Sequence, residues 1–318
     1  MAEPPSPPPP PGRALVIANP IAGAGRGEAL AQSLARELES AGTSVELRVT
    51  RARGEAQRFA AQCSADVLVS VGGDGTLNEV LRGHRDPRVP LGILPLGTAN
   101  VLALDLGLSL DPRRAAATIL GGRTTPLDTA LVNGELSFLA VGVGFDAEAV
   151  RQVEQRRRGP ISKWTYLGAG LAALGRYREP QLEVELDGER IPGTFGWVLA
   201  SNVIHFGGVF RLSPQRVLGD GLWEFYLFER AARRHLALHG LRLLTGRVPG
   251  PGIVLRQARK AAIRAVGPTA TPPPAVQIDG DLRGALPLSI EVSGPTFRVL
   301  VPPHPEGTRA SRRPAGAG

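Results

Sequence analysis

Cysteine is all but absent from this chain, and Cys63 stands alone. No disulfide can form within the chain, and no zinc cluster of cysteines can be built. Cys63 lies among alanines just before an apolar run, which reads as a buried, inert thiol in a reducing, cytoplasmic setting. The first twelve residues are acidic and rich in proline, without the basic start and apolar stretch of a secretory signal. No apolar run reaches the roughly 18 uninterrupted residues of a spanning helix. The run at 198–204 is short and meets His205, so a protein not integral to the membrane is expected. Lysine is scarce as well: Lys163 and Lys260 are the only two, and arginine carries nearly all of the formal charge of +8. Such a charge suits nucleic acid, anionic lipid or phosphate-rich ligands alike. No zinc finger or ribonucleoprotein signature accompanies it, so no nucleic-acid partner is expected.

The signatures of several common enzymes are missing too. His84, His205, His235, His239 and His304 show no zinc-binding spacing, and no Gly-x-Ser-x-Gly elbow occurs. The Lys-Ser/Thr pair of the P-loop and the lysine and catalytic loop of protein kinases are also absent.

What is present is a globular pattern, with 42% apolar residues against 21% charged, enough to bury a core. Up to about residue 125, apolar strands (14–18, 45–49, 67–71, 91–94) alternate with helical stretches (28–38, 54–63, 77–82), the pattern of a parallel sheet covered on both faces. Beyond it the texture changes to short β-like runs with hairpin signals at Asn133-Gly134 and Asp187-Gly188, interrupted by one helical insert at about 147–174. The expected organisation is a disordered tail at 1–12, an α/β domain at 13–125, a mostly antiparallel β domain at 126–293, and a tail at 303–318.

Three loops in the α/β half could receive phosphates. Gly23-Ala24-Gly25-Arg26-Gly27 follows a strand and opens a helix, where free N–H groups and the helix dipole favour an anion. A merely tight connection would look the same. Gly72-Gly73-Asp74-Gly75-Thr76-Leu77-Asn78 is more specific: paired glycines admit a polyphosphate, Asp74 can work through magnesium, and Thr76 can donate a hydrogen bond. Leu94-Pro95-Leu96-Gly97-Thr98-Ala99-Asn100 would lie beside it at the carboxyl edge of the sheet.

Together, Asn19-Pro20 with Gly23, the 72–78 segment and the 94–100 segment resemble the three nucleotide-binding motifs of the diacylglycerol kinase catalytic domain, shared with sphingosine and ceramide kinases and bacterial soluble relatives. The resemblance spans roughly residues 13–302. It implies an α/β nucleotide domain like that of NAD kinases and phosphofructokinases, followed by a β-sandwich, with the active site between them and the final strand, within 294–302, returning to complete the first domain. It implies that Asn19, Pro20, Ile21, Ala22, Gly23, Thr50, Gly72, Gly73, Asp74, Gly75, Thr76, Leu77, Asn78 and Thr98 hold ATP. The expected activity is transfer of a phosphoryl group from ATP, with Mg2+, to the hydroxyl of a membrane lipid, diacylglycerol first among them. A homodimer is compatible with it.

Phosphoryl transfer needs positioning, a metal on the phosphates and a carboxylate near the attacking hydroxyl. Asp279-Gly280-Asp281 resembles the family's acidic Asp-Gly-Glu motif, with Asp281 in the place of glutamate. Catalytic roles for Asp281, Asp279 and Asp74 follow, and an inert hairpin turn is the competing reading of 279–281. In bacterial relatives the segment matching Val217 to Leu222 binds a structural magnesium, which implies Asp220 with Val217 and Leu222 as ligands; a plain turn competes here too. Many relatives carry aspartate where Val101 stands, so one outer carboxylate is missing. Residues 151–164 set Arg151, Arg156, Arg157, Arg158 and Lys163 against Glu154 alone, with Trp164, Tyr166, Leu167 and Leu171 at helical spacing. This suits peripheral contact with an anionic membrane, a solvated helix face or a phosphate contact by Lys163 being the alternatives. An NAD kinase, which shares the Gly-Gly-Asp-Gly-Thr loop, and a nucleotide-binding regulator without catalysis are the competing functions.

Overall fold

The computed structural model describes residues 9–155, 168, 172–175, 177–207, 210–212, 216–267 and 273–303. The basic and aromatic residues at 156–167, Leu171 and both expected tails beyond these limits lie outside the described residues.

The first half runs β1 (Arg13–Ala18), α1 (Ala22–Gly25), α2 (Gly27–Ser40), β2 (Ser44–Val49), α3 (Glu55–Ala60), β3 (Val67–Gly72), α4 (Asp74–Gly83), β4 (Leu91–Pro95), α5 (Val101–Leu106), α6 (Pro112–Leu120) and β5 (Thr124–Leu127). Strands β2, β1, β3 and β4 are parallel neighbours in that order. Successive residues of a strand point to opposite faces, and both faces are covered. Val16 and Val69 meet Leu34 and Leu38 of α2 and Ile119 of α6, while Ile17 and Leu68 meet Ala60 of α3 and Val80 of α4. That is why the strands read as continuous apolar runs. Leu34 and Leu38 are fully buried, each worth about 2 kcal/mol of apolar burial. From β1 the chain crosses to β2 on one side, then returns to place β3 on the other. The loops leaving β1 and β3 therefore diverge at a topological switch point, the usual ligand crevice of such sheets.

The second half contains β6 (Ala130–Val132), β7 (Glu135–Ser137), β8 (Ala140–Val143), α7 (Phe145–Gln155), β9 (Leu182–Leu186), β10 (Glu189–Arg190), β11 (Trp197–Ser201), β12 (His205–Phe206), β13 (Phe210–Arg211), β14 (Trp223–Phe228), α8 (Arg233–Leu244), β15 (Ile253–Ala258), β16 (Lys260–Ala265), β17 (Val276–Ile278), β18 (Asp281–Leu282) and β19 (Leu288–Glu291). Two six-stranded antiparallel sheets, β10-β9-β16-β19-β6-β7 and β15-β14-β11-β8-β17-β18, pack face to face. Val143, Val198, Trp223, Phe225 and Ile278 of one meet Leu182, Val184, Ile263 and Ile290 of the other. The alternate residues of β14, Tyr226 and Phe228, bury against Leu236 and Leu243 of α8, so this strand is buried on both faces. Asn133-Gly134 and Asp187-Gly188 turn their hairpins with left-handed backbone at all four residues.

The last strand, β20 (Phe297–Leu300), returns to the first sheet, where it lies between β4 and β5, parallel to one and antiparallel to the other. Cys63, expected to be buried, is only partly so, and burial still pushes its thiol upward from the ordinary range. Among the described residues no helix is long and apolar enough to cross a membrane.

Candidate active site

The first three loops meet at the carboxyl ends of β1, β3 and β4. The Asn19 N–H donates to Val71 O at 2.9 Å and the Leu96 N–H to Gly72 O at 2.7 Å, so each loop leaves its strand hydrogen-bonded to the next. The Asn19 carboxamide donates to Thr76 Oγ1 at 3.3 Å and accepts from the Ile21 N–H at 3.2 Å. The Gly23 N–H reaches Leu96 O at 2.9 Å. Gly23, Ala24 and Gly25 all have left-handed backbone, and α1 is a single kinked turn rather than a regular helix. Gly27 then passes so close to the Asn19 carbonyl that a Cβ would sit 2.0 Å from its oxygen. Thr50 is committed to Ala18: its N–H and its hydroxyl both donate to that carbonyl, at 2.8 and 3.2 Å.

The second and third loops touch backbone to backbone. A Cβ on Gly73 would lie 2.8 Å from Gly97 Cα, and one on Gly97 would lie 2.6 Å from Gly73 Cα. The third loop is closed by Asn100, whose carboxamide accepts from the Gly97 N–H at 2.7 Å and donates to the Gly97 carbonyl at 2.9 Å. Thr98 is exposed at its tip. Asp74 opens α4 and accepts from the Val101 N–H at 3.1 Å. Burial, with the charge of Asp279 adding to it, pushes the Asp74 carboxyl up to about 6. Val101, the position without the outer carboxylate, thus holds Asp74 through its backbone.

Asp279 and Gly280 form the two-residue turn between β17 and β18, both with left-handed backbone, as a type I′ hairpin requires. The Asp279 carboxylate is buried and accepts five hydrogen bonds. Oδ1 takes Ser137 Oγ and the Leu139 and Ala140 N–H groups at 2.8, 2.9 and 3.2 Å; Oδ2 takes Asn78 Nδ2 and the Phe138 N–H at 2.8 and 3.2 Å. Burial pushes its carboxyl upward, opposed by these donors. A second buried acid braces the turn from behind: Asp146, pushed up to about 6 by burial, accepts from Trp197 Nε1 and Gln277 Nε2, and Gln277 Oε1 accepts from the Gly280 N–H at 2.8 Å. Asp281, in contrast, is half-exposed, between Arg53 at 3.3 Å and Arg283 at 3.4 Å.

The structure therefore brings Asn19, Thr76, Asn78, Asp74, Asp279 and Asp281 into one region where the glycine loops face the β17–β18 turn. Asn78, Arg53 and Arg82 reach across it; Arg82 Nε donates to Asn78 Oδ1 at 2.7 Å and Nη2 to Glu135 at 3.2 Å. Ser137, Asp146, Gln277 and Arg53 were missed by sequence reasoning. Gln277 alone carried a signal, two residues ahead of the acidic turn; Asp146 contacts it across 131 positions. The oxygens expected to bind a structural magnesium lie elsewhere. They are the Asp220 carboxylate and the Val217 and Leu222 carbonyls, and each accepts instead from the buried guanidinium of Arg216.

Comparison with known proteins agrees with this two-part architecture. A family model described as Diacylglycerol kinase catalytic domain matches residues 13–132, and one described as YegS C-terminal NAD kinase beta sandwich-like domain matches residues 139–301. Diacylglycerol kinase of Bacillus subtilis is 29% identical over 225 residues, covering 69% of this chain and 74% of its own. A protein of Cronobacter sakazakii named Probable lipid kinase YegS-like is 31% identical over 199 residues, covering 60% of this chain and 67% of its own. The crystal structure of a diacylglycerol kinase from Bacillus anthracis str. Sterne shares the fold, with a TM-score of 0.69 over 92% of this chain and 98% of that one, at 20% identity. With catalytic and sandwich families both matched in order along one chain, the protein belongs to the diacylglycerol kinase family and is a lipid kinase.

Proposed function

We propose that this kinase transfers the γ-phosphoryl group of ATP to the hydroxyl of a membrane lipid, diacylglycerol being the acceptor of choice. The observation that carries this reading is the hydrogen bond from Asn78 to Asp279, which builds the acidic turn and the helix behind the Gly72–Asp74 loop into one unit. Residues 13–125 with 294–302 form the nucleotide unit in this reading, and residues 126–293 the lipid-facing unit. Asn19 to Gly23, Thr50, Gly72 to Asn78 and Thr98 enclose the nucleotide; the glycines let backbone N–H groups approach the phosphates, and Thr76 orders Asn19 beside them. Magnesium bound with ATP would neutralise charge on the phosphates, and the Asp74 carboxylate would hold it.

In this reading the two acids divide the labour. Asp279, whose carboxylate is held by five donors from Asn78 and the 137–140 segment, serves to position the turn. Asp281 is the one open to a substrate. It takes the proton of the lipid hydroxyl as the oxygen bonds to the γ-phosphorus and the bond to the ADP oxygen breaks.

Peripheral contact with an anionic bilayer belongs to the same reading, and α8 supports it. Leu238, Leu241 and Leu244 are 44%, 59% and 54% exposed, at three-residue spacing along one face. From Arg230 to Arg259 the chain carries seven arginines and no aspartate or glutamate. Exposed leucines in an arginine-rich segment suit the boundary between headgroups and acyl chains. Incubation with γ-labelled ATP and a total lipid extract, followed by identification of the labelled product, tests the proposal. A labelled glycerolipid supports it, whereas label on a sphingoid base or ceramide replaces the acceptor. Label on added NAD and on no lipid overturns it.

A further inference from the structure

Arg216 lies in the loop before β14, its side chain 1% exposed. Its Nη1 donates to the Val217 carbonyl and to Asp220 Oδ1 at 2.9 Å; its Nη2 donates to the Leu222 carbonyl at 2.6 Å and to Asn202 Oδ1 at 2.7 Å. The two carbonyls and the carboxylate that the family resemblance assigns to a structural magnesium thus converge on a guanidinium. A divalent ion placed among them would have to displace this buried cation or sit against its charge, so the residues present do not fit the metal. Among the described residues no cluster of three His, Cys, Asp or Glu side chains offers another cage.

We propose that Arg216 is a built-in replacement for the divalent structural cation. The chain's own guanidinium organises the 216–222 loop, and the sandwich half needs no metal there. A planar fork with several N–H donors can satisfy four oxygens at once, as a hydrated metal would, and it is never deprotonated. The replacement is wired into the frame around it. Asn202, fully buried, accepts from Arg216 and donates through Nδ2 to the carbonyls of Asp128 and Phe138, at 2.8 and 2.9 Å. The Asp128 carboxylate in turn accepts from the Gly221 N–H at 2.7 Å and Thr296 Oγ1 at 3.1 Å. One positive charge so joins the loop to the segment whose amides hold Asp279. This inference rests on the loop alone and is independent of the proposed acceptor.

The test is thermal unfolding of the full chain without nucleotide, after exhaustive chelation and after return of a millimolar excess of magnesium or calcium. Wild type should melt at the same temperature in each condition. Arg216→Ala leaves the Asp220 carboxylate and both carbonyls around an empty space. It should lower Tm by roughly 5–10 °C in chelator, the scale of a broken buried ion pair in a protein of this size. Magnesium or calcium, but not sodium chloride of equal ionic strength, should restore most of that loss, and Arg216→Ala with Asp220→Asn should abolish the rescue. A wild-type Tm that falls on chelation and recovers with magnesium would overturn the proposal, and that arm decides even where Arg216→Ala does not fold. An Arg216→Ala protein destabilised but indifferent to both ions would reduce Arg216 to an ordinary ion-pair partner and overturn it as well.

Discussion

Asn78 Nδ2 donates to Asp279 Oδ2 across 2.8 Å, joining helix α4 to a hairpin turn 201 positions further along the chain. Arg82 fixes the carboxamide from its other end by donating to Asn78 Oδ1, so the orientation that presents the NH2 group to Asp279 is set. Asn78→Ala removes one of five donors to a buried carboxylate, which should cost about 1.5–3 kcal/mol of stability. Asn78→Asp sets carboxylate against carboxylate and should lower kcat more than the alanine variant does. Denaturant melts beside steady-state kinetics on both variants check this; an Asn78→Asp enzyme of full activity would show that the link is dispensable.

Gly73→Ala puts a methyl group against the Gly97 backbone, where neither chain can yield as a side chain would. The two loops must part, with an expected loss of about 1–3 kcal/mol, as for overpacking in a core. The ATP KM should rise while the lipid KM stays close to wild type. An unchanged ATP KM would place the nucleotide away from this junction.

For Asp74, stability and activity should move in opposite directions. The folded carboxyl is pushed up to about 6, so between the ordinary aspartate range and that pH the folded chain holds a proton that the unfolded chain has released. Stability from this group is therefore lost as pH rises through that window. Above it the charged, buried carboxylate costs on the order of 3 kcal/mol. Asp74→Asn keeps the acceptor for the Val101 N–H and removes the charge. Its stability advantage over wild type should be near zero at pH 4 and largest at neutral pH, while phosphoryl transfer is abolished. Paired melts across pH 4–7 measure the first, and turnover near wild type by the folded variant would contradict the second.

Helix α8 supplies the membrane prediction. Replacing Leu238, Leu241 and Leu244 with serine should weaken binding to anionic vesicles by several-fold and leave Tm nearly unchanged, because these side chains are exposed while Leu236 and Leu243 carry the packing. Neutralising Arg156, Arg157 and Arg158 in a parallel protein should cost about 1 kcal/mol per charge if that segment shares the contact, fading with salt. Vesicle binding indifferent to the serine substitutions would remove α8 from the interface.

The glycine loops were legible in the sequence because their signal is local: an apolar strand ends, paired glycines follow, and a helix begins. The return of β20 was legible only through the family resemblance, since nothing in Phe297–Leu300 itself tells an edge of the sandwich from a place between β4 and β5. Helix α6 was overlooked although Asp111 caps it and Pro112 occupies its first turn, a start signal available in the residues. The burial of Asp279 was not legible at all. Its donors come from Asn78 and from 137–140, and only the closed fold brings them around one carboxylate. Arg216 gave no signal either, because a lone arginine in a loop reads as solvated until the oxygens around it are placed.

The most direct test of the account is phosphoryl transfer from γ-labelled ATP to diacylglycerol in mixed micelles, with wild type, Asp281→Asn and Asp279→Asn compared side by side. Wild type should form labelled phosphatidic acid. Asp281→Asn should lose about 10²–10⁴-fold in kcat with the ATP KM little changed, the cost of removing a general base. Asp281→Glu should stay active, whereas Asp279→Asn should lose stability together with activity, since an amide meets five donors built for a carboxylate. Undiminished transfer by Asp281→Asn beside a dead but fully stable Asp279→Asn would contradict the account and move the proton transfer to Asp279.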